Sequence, residues 1–114
     1  KKKKKKKKKK VRERFGNVDW ALIENGQYNE DWAFIHMMPE QVVQAIRDLA
    51  PRHVLPIHNS KFALARHEWD EPLRLLSAAA ERENLPLLTP RIGEVVQLNN
   101  EAQTFDRWWE EVKD

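Results

Sequence analysis

The stretch LPIHNSKFAL, residues 55–64, carries the strongest signal for the fold. An apolar run at residues 54–57 ends abruptly at His58, and an amide, a hydroxyl and a lysine follow before apolar residues resume. Such a run is typical of a buried strand, and open α/β sheets bind ligands at the carboxyl ends of their strands. Because neutral imidazole is the commonest metal ligand, His58 is a candidate ligand. The alternative is a half-buried histidine with a satisfied hydrogen bond.

Strands and helices alternate on both sides of this stretch. The pattern predicts strands at residues 18–24, 53–58, 86–88 and 93–98, helices at 39–50, 70–84 and 104–112, and a loop at 28–35. This order indicates an α/β layered domain. The first two strands are nearly all apolar, as in strands that are covered on both faces. Four short strands make a thin sheet, which suggests half of a larger domain.

The first ten residues are all lysine and distort the charge of the chain. Its 114 residues carry a formal +3, but without the run Lys+Arg falls from 21 to 11 while Asp+Glu stays at 18. The other 104 residues therefore carry −7, and no basic stripe suggests a nucleic-acid partner. We exclude residues 1–10 from the fold and treat residues 11–114 as the domain. The run is an engineered tail, a natural basic arm or, as we favour, a stand-in for unidentified residues.

Composition excludes several other classes of protein. The chain has no cysteine, so it contains neither a disulfide framework nor a thiolate zinc site. No apolar run approaches the roughly 20 residues that span a bilayer, and no signal peptide is visible, so we expect a cytoplasmic location. The three glycines make no phosphate-binding loop, and Ser60 lacks the Gly-x-Ser-x-Gly pattern of serine hydrolases.

Two further histidines have distinct predicted places. His36 lies at the mouth of the first predicted helix, where free N–H groups favour anions. It is positioned either to hydrogen-bond an anionic substrate or a developing oxyanion, or to pack on Met37 and Trp32. His53 and His58 are five positions apart and face opposite sides of a regular strand, so they cannot chelate one ion together.

The segment HEWDE, which contains His67, Asp70 and Glu71, resembles a ligand cluster. A structural interpretation is favoured, in which Asp70 caps the following helix and Glu71 is a carboxylate in its first turn. For Lys61, two interpretations stay open: a contact to a substrate phosphate or an ordinary surface lysine.

Two long stretches together resemble a known family. They are FGNVDWALIENGQYNEDWAFIHMMPEQVVQAIRDL (15–49) and LPIHNSKFALARHEWDEPLRLL (55–76). They are similar to the C-terminal part of metallo-β-lactamase-fold hydrolases, in the branch of N-acyl-phosphatidylethanolamine phospholipase D and ascorbate-6-phosphate lactonase-like proteins. The shared features are Asp-hydrophobic run-Gly-x-Tyr, a His-Met-x-Pro-Glu helix start, a strand ending in Ile-His and an Asp-Glu-Pro helix start. The resemblance covers residues 15–98.

This resemblance implies the C-terminal half of an αββα sandwich with an active site along one edge of its sheets. The family typically holds two metal ions there, usually zinc, and uses a metal-activated hydroxide on a phosphodiester, lactone or related bond of a small-molecule or lipid-like substrate. His58 matches the last histidine ligand of the family, and His36 matches a residue on the substrate side. Tyr28, Asn59 and Lys61 are the expected substrate-binding residues.

The chain departs from the family pattern in two places. Asn59-Ser60-Lys61 follows the last histidine, where many relatives have Trp-Gly-Thr. The His-x-His-x-Asp-His cluster is absent, and the bridging aspartate of the family would fall at or near Lys1, so we interpret the lysines as occupying the place of natural sequence. Alone, the chain is expected to be inactive without the missing N-terminal half. The competing hypothesis is a non-catalytic module that pairs with that half, with a partner or with a second copy.

Overall fold

The computed structural model describes residues 2–62 and 64–112, with side chains from residue 7 onward in those ranges. The elements in chain order are α1 (Lys2–Phe15), β1 (Trp20–Glu24), a short 3-10 helix (Glu30–Trp32), α2 (Pro39–Leu49), β2 (His53–Ile57), α3 (Glu71–Glu83) and α4 (Trp108–Val112). The mixture of helices with a parallel strand pair confirms the predicted α/β class. No described helix is long and apolar enough to cross a membrane.

Strands β1 and β2 lie side by side and parallel, with Trp20 opposite His53 and Glu24 opposite Ile57. Parallel neighbours need a crossover connection, which α2 supplies. The strand predicted at residues 86–88 is reduced to a single bridge from Leu87 to the other edge of β2. Because both strands run in the same direction, their carboxyl ends, and the loops that follow them, meet at one edge of the sheet.

Helix α2 begins and ends where local chemistry predicts. Pro39 occupies the start of the helix, where its missing N–H costs nothing, and the Gln41 side chain accepts the Met38 N–H at 2.9 Å. Ala50 closes the helix in the left-handed conformation, with φ of 45°, and Pro51 prevents its continuation. The buried face of α2 packs on the sheet.

Helix α3 corrects one prediction. Asp70 precedes the helix, but its side chain makes no capping hydrogen bond. Its φ and ψ of −92° and −10° are helix-like, whereas a capping residue is normally extended, so its carboxylate does not turn toward the first N–H groups. The buried Asp70 carboxylate lies instead 3.9 Å from Arg74 Nε. The expected first-turn carboxylate, Glu71, is present.

Two apolar clusters hold these elements together. The first joins one face of the sheet to α2 and α3, and its buried members are Ala21, Ile23, Val42, Ile46, Val54 and Leu76. The second packs Leu73 of α3 on Trp108 and Trp109, with Trp69 against it. Trp108 and Trp109 are both buried, and α4 begins at Trp108 rather than at residue 104 as predicted.

The prediction of a strand at residues 93–98 is wrong. Gly93 has a φ of 88°, and Glu94 N–H bonds to Arg91 O at 2.9 Å, so the chain turns at this point. Val95 and Leu98 remain largely exposed. A strand is stabilised by a neighbouring strand, and no described strand edge pairs with this segment.

The other face of the sheet is open in the part of the chain that the structure describes. Leu22 is 59% exposed and Ile57 is 41% exposed. The prediction that both strands are covered on both faces is therefore met on one face only.

The lysine run, which we left out of the predicted fold, forms most of α1. This helix lies along α2, and Arg12 Nη1 donates to Arg47 O at 3.5 Å. Lys8 Nζ also lies 3.2 Å from Met37 Sδ. In this structure α1 is thus a helical segment attached to the domain.

Candidate functional site

The structure brings His36 and His58 together at the carboxyl edge of the strand pair. Their ring centroids lie 5.2 Å apart with an interplanar angle of 28°, which is a stacked arrangement. His58 follows β2 directly, and His36 is carried by the loop that leads into α2. Two of the five predicted site residues therefore lie side by side in the place expected for an α/β ligand site.

The backbone at His58 is unusual. His58 has a φ of 64° and Ser60 has a φ of 69°, both in the left-handed region that non-glycine residues rarely adopt. Strained backbone of this kind clusters at functional sites, because the surrounding structure must hold it in place. The His58 side chain is exposed, and its ring nitrogens make no hydrogen bond to any residue that the structure describes. His58 is therefore more exposed than the alternative of a half-buried histidine requires.

His36 is held by an acidic partner that the sequence did not reveal. Glu24, the last residue of β1, places its Oε2 atom 3.0 Å from His36 Nδ1. Its other oxygen, Oε1, accepts the Met37 N–H at 3.0 Å. The Trp32 ring meets the His36 ring edge-on at a centroid distance of 6.1 Å, so the predicted packing on Trp32 is also present.

Asn25 and Gly26 follow β1 directly and fix the position of neighbouring segments. Asn25 N–H donates to Ile57 O, and its side-chain amide donates to Pro72 O, each at 2.9 Å. Gly26 lies directly against the His58 carbonyl, and a Cβ atom there would overlap it. This turn therefore joins the end of β1 to the end of β2 and to the start of α3.

Gln27 anchors the segment that follows His58. Its Oε1 atom accepts the N–H groups of Leu64 and Ala65 at 2.8 Å and 3.1 Å, and its amide donates to Phe62 O. One buried side chain thus satisfies three backbone groups of an otherwise irregular segment.

Tyr28, a predicted substrate-binding residue, is buried in its own cluster. Its hydroxyl donates to the Glu71 carboxylate, and its ring stacks on His67 at a centroid distance of 4.2 Å. Burial, followed by the hydrogen bond and the charge of Glu71, raises the pKa of the Tyr28 phenol. No ring contact or hydrogen bond in the described chain links Tyr28 to His36 or His58.

Replacing Tyr28 by phenylalanine is expected to lower the free energy of unfolding by about 1–2 kcal/mol at neutral pH, because a bond to a carboxylate is lost. A phenol whose pKa is raised in the folded state stabilises the fold fully below the unfolded pKa of about 10 and loses this contribution as the pH rises further. Wild type should therefore lose stability above about pH 10 more steeply than the variant does. Urea unfolding at neutral and alkaline pH measures both effects, and identical alkaline slopes would contradict this account of Tyr28.

Asn59 and Lys61 follow His58 closely in the chain, and the side chain of each contacts the next residue rather than the imidazoles. Asn59 Oδ1 accepts the Ser60 hydroxyl at 2.6 Å, which leaves the Asn59 amide nitrogen as its donor. Lys61 is exposed, and its Nζ lies 5.5 Å from the centroid of the Phe62 ring. Both residues thus belong to the segment that directly follows His58.

The remaining histidines lie apart from this pair. His53 stacks on Trp20 at 4.6 Å, and its Nε2 lies 3.6 Å from Glu101 Oε1. His67 is occupied by Tyr28 and by a contact to the carbonyl of Glu68. Among the residues that the structure describes, no three histidine, aspartate, glutamate or cysteine side chains converge as a metal site.

A groove of about 520 Å³ lies between the start of α2 and α3, on the side of Tyr28 and Glu71. Most of its lining is apolar and comes from both helices, including Met38, Val43 and Leu75.

One family model and several known proteins match this chain. Residues 5–59 match the model of the beta-lactamase superfamily domain. An uncharacterized protein of Mycobacterium tuberculosis is 36% identical over 97 residues, which cover 82% of this chain and 26% of that protein. The outer membrane protein RomA of Klebsiella pneumoniae is 54% identical over 48 residues, covering 42% of this chain and 36% of that protein.

A third relative belongs to the phospholipase D branch that the sequence resembles. The mitochondrial N-acyl-phosphatidylethanolamine-hydrolyzing phospholipase D of Saccharomyces cerevisiae is 35% identical over 74 residues, which cover 62% of this chain and 16% of that protein. The predicted resemblance to metallo-β-lactamase-fold proteins, and to the phospholipase D branch, is therefore confirmed. The chain spans between 16% and 36% of the length of these relatives.

Proposed function

We propose that this chain is the C-terminal part of a zinc-dependent hydrolase with a sandwich fold, in which His58 and His36 belong to the active site. The observation that carries this proposal is the stacking of these two histidines, from separate loops, at the carboxyl edge of a parallel strand pair. The family match supports a hydrolase, and the open sheet face at Leu22 and Ile57 is what one half of a sandwich would present.

Zinc, which the fold family implies, fits the donors on this edge. Zinc accepts imidazole nitrogen, and the His58 ring has no competing hydrogen bond to any described residue. The carboxylate bond at His36 Nδ1 is the type of support that histidines in metal sites commonly have. One or two histidines do not complete a site, so the proposal requires further ligands from outside the described residues.

When bound, zinc would supply a hydroxide nucleophile near neutral pH. His58 would hold the metal through one ring nitrogen. His36 would use Nε2 to orient an oxygen of the substrate or to exchange a proton with it. The exposed Lys61 ammonium and the Asn59 amide would bind anionic oxygens of the substrate. Tyr28 would shape the neighbouring apolar groove, because its hydroxyl is already bonded to Glu71.

The substrate in this proposal carries a phosphodiester, lactone or related bond and is a small or lipid-like molecule. The name of the yeast relative, which describes the hydrolysis of an N-acylated phospholipid, supports the phosphodiester class. The sequence Asn59-Ser60-Lys61 differs from the Trp-Gly-Thr of many relatives, so the recognition of the substrate at this point would also differ.

Metal removal from the full-length protein tests this proposal. We expect about two zinc ions per chain by elemental analysis, hydrolysis of bis(4-nitrophenyl) phosphate, loss of activity with a chelator and recovery with zinc. The 114-residue chain alone is the matched control, and calorimetry should give it a zinc Kd of about 1 μM or weaker because its ligand set is incomplete. Full-length protein that is metal-free and inactive on phosphodiester and lactone probes would overturn the proposal.

That negative result would favour a second function, a non-catalytic module that pairs through its open sheet face. The exposed Leu22 and Ile57 side chains are the observation behind this alternative. The occupant would be the rest of the domain, a partner or a second copy of the chain.

A further inference from the structure

Glu24 is placed to control the orientation of His36. It ends β1 opposite Ile57, the last residue of β2, and therefore lies at the same edge as His58. Its two carboxylate oxygens have separate partners, since Oε2 lies 3.0 Å from His36 Nδ1 and Oε1 accepts the Met37 N–H at 3.0 Å. Both side chains are mostly buried, since 30% of the Glu24 side-chain surface and 25% of the His36 side-chain surface are exposed.

This geometry restricts the forms of the His36 ring. A carboxylate only accepts hydrogen bonds, so the contact at Nδ1 requires a proton on that nitrogen. The neutral ring with its proton on Nδ1 keeps the bond, and so does the doubly protonated ring. The neutral ring with its proton on Nε2 would place two acceptors against each other. His36 Nε2 makes no hydrogen bond to any residue that the structure describes.

We propose that Glu24 is a positioning residue that keeps a proton on His36 Nδ1 and so makes Nε2 the atom through which His36 exchanges protons with the substrate. The proposal rests on the proposed hydrolase function. It adds to that function which ring nitrogen of His36 faces the substrate. Glu24 also secures the peptide after His36 through the Met37 N–H, so the ring and its backbone are held by one side chain.

Glu24→Gln provides a sharp test, because glutamine has nearly the same shape but only one acceptor oxygen. Backbone N–H of Met37 can only donate, so the glutamine oxygen should face Met37. The glutamine NH₂ group then faces His36 Nδ1, which must become an acceptor. The substitution is therefore expected to move the His36 proton from Nδ1 to Nε2 while the fold is kept.

Long-range ¹H–¹⁵N NMR measures directly which ring nitrogen of a histidine carries the proton. The sample is the 114-residue chain, labelled with ¹⁵N at its four histidines. We expect neutral His36 to carry its proton on Nδ1 in wild type and on Nε2 in Glu24→Gln. Glu13→Gln is the matched control, an exposed glutamate of α1, and should leave His36 unchanged. Wild type with the proton on Nε2, or a Glu24→Gln chain that keeps it on Nδ1, would overturn the positioning role.

Kinetics of the full-length protein test the functional consequence. Glu24→Gln should lower kcat by at least about tenfold with little change in KM, because the wrong ring nitrogen then faces the substrate. Glu24→Asp retains the carboxylate and should keep the Nδ1 proton and more of the activity than Glu24→Gln. Equal kcat in wild type and Glu24→Gln, with the NMR change present, would overturn the role of Nε2. A wild-type protein that shows the NMR pattern but hydrolyses no probe would instead refute the hydrolase function alone.

Discussion

Replacing His58 by alanine in the full-length protein is expected to remove bound zinc and to lower kcat/KM by at least about 100-fold. Loss of a residue that supports a metal ligand typically costs about 10–100-fold in affinity or activity, and loss of the ligand itself should cost no less. His58 ends the β2 segment in a strained left-handed conformation, and its ring is exposed without a described hydrogen bond. Truncation should therefore change the fold little, and the loss should appear in metal content and kcat.

His53→Ala is the matched control for this experiment. His53 lies on the same strand, but its ring stacks on Trp20 and approaches Glu101 rather than His36. We expect this variant to lose some stability and to keep wild-type zinc content and kcat. If His58→Ala retained its zinc and kept kcat/KM within about threefold of wild type, His58 would not be a metal ligand.

The elements that the sequence predicts correctly are those whose signals are local. In α2, apolar residues recur at helical spacing, and a proline marks each boundary. In β1 and β2, short apolar runs end at polar residues, so their extents are off by no more than two residues. These signals come from residues that are neighbours in the chain, so they can be recognised from the sequence alone.

The elements that it predicts wrongly depend on partners distant in the chain. Residues 93–98 have the composition of a strand, but a strand forms against another strand, and the described chain offers them none. Asp70 has the residue type of a helix cap, but its helix-like backbone and burial beside Arg74 turn its carboxylate elsewhere. Neither the missing strand partner nor the burial of Asp70 can be predicted from residue type alone.

In the candidate site, too, local features could be predicted and contacts between distant residues could not. His58 was predicted because the end of its strand could be read from the apolar run before it. Glu24 was missed because an acidic residue at the end of a strand has many possible roles, and its partner His36 lies on another loop. The bond from the Tyr28 hydroxyl to Glu71 was also not predicted, because Glu71 lies far along the chain. The substrate-binding role of Tyr28 stays a prediction. One signal for Glu24 did exist, a single charge closing an otherwise apolar strand.

Gly26→Ala is expected to destabilise the chain by roughly 3 kcal/mol and to displace the segment that carries His58. A Cβ at this position would overlap the His58 carbonyl oxygen and would approach the His58 carbonyl carbon and Asn59 Cα at 3.0 Å and 3.1 Å. These are backbone atoms, and they cannot rotate away as a flexible side chain can. A loss of this size corresponds to a fall in Tm of roughly 15 °C for a domain of this length.

Gly16→Ala separates this steric effect from the general cost of losing a glycine. A Cβ at Gly16 meets nothing within 4 Å, but its φ of 75° disfavours any L residue, so a loss of about 1 kcal/mol is expected. Urea unfolding compares the two variants, and NMR of the His36 and His58 rings shows whether their stacking survives. Equal losses in both variants, with the His36–His58 contact intact, would show that Gly26 does not hold the end of β2. A larger loss at Gly26, accompanied by separation of the rings, would mean that one small residue on β1's turn sets both the stability of the sheet edge and the position of its histidine.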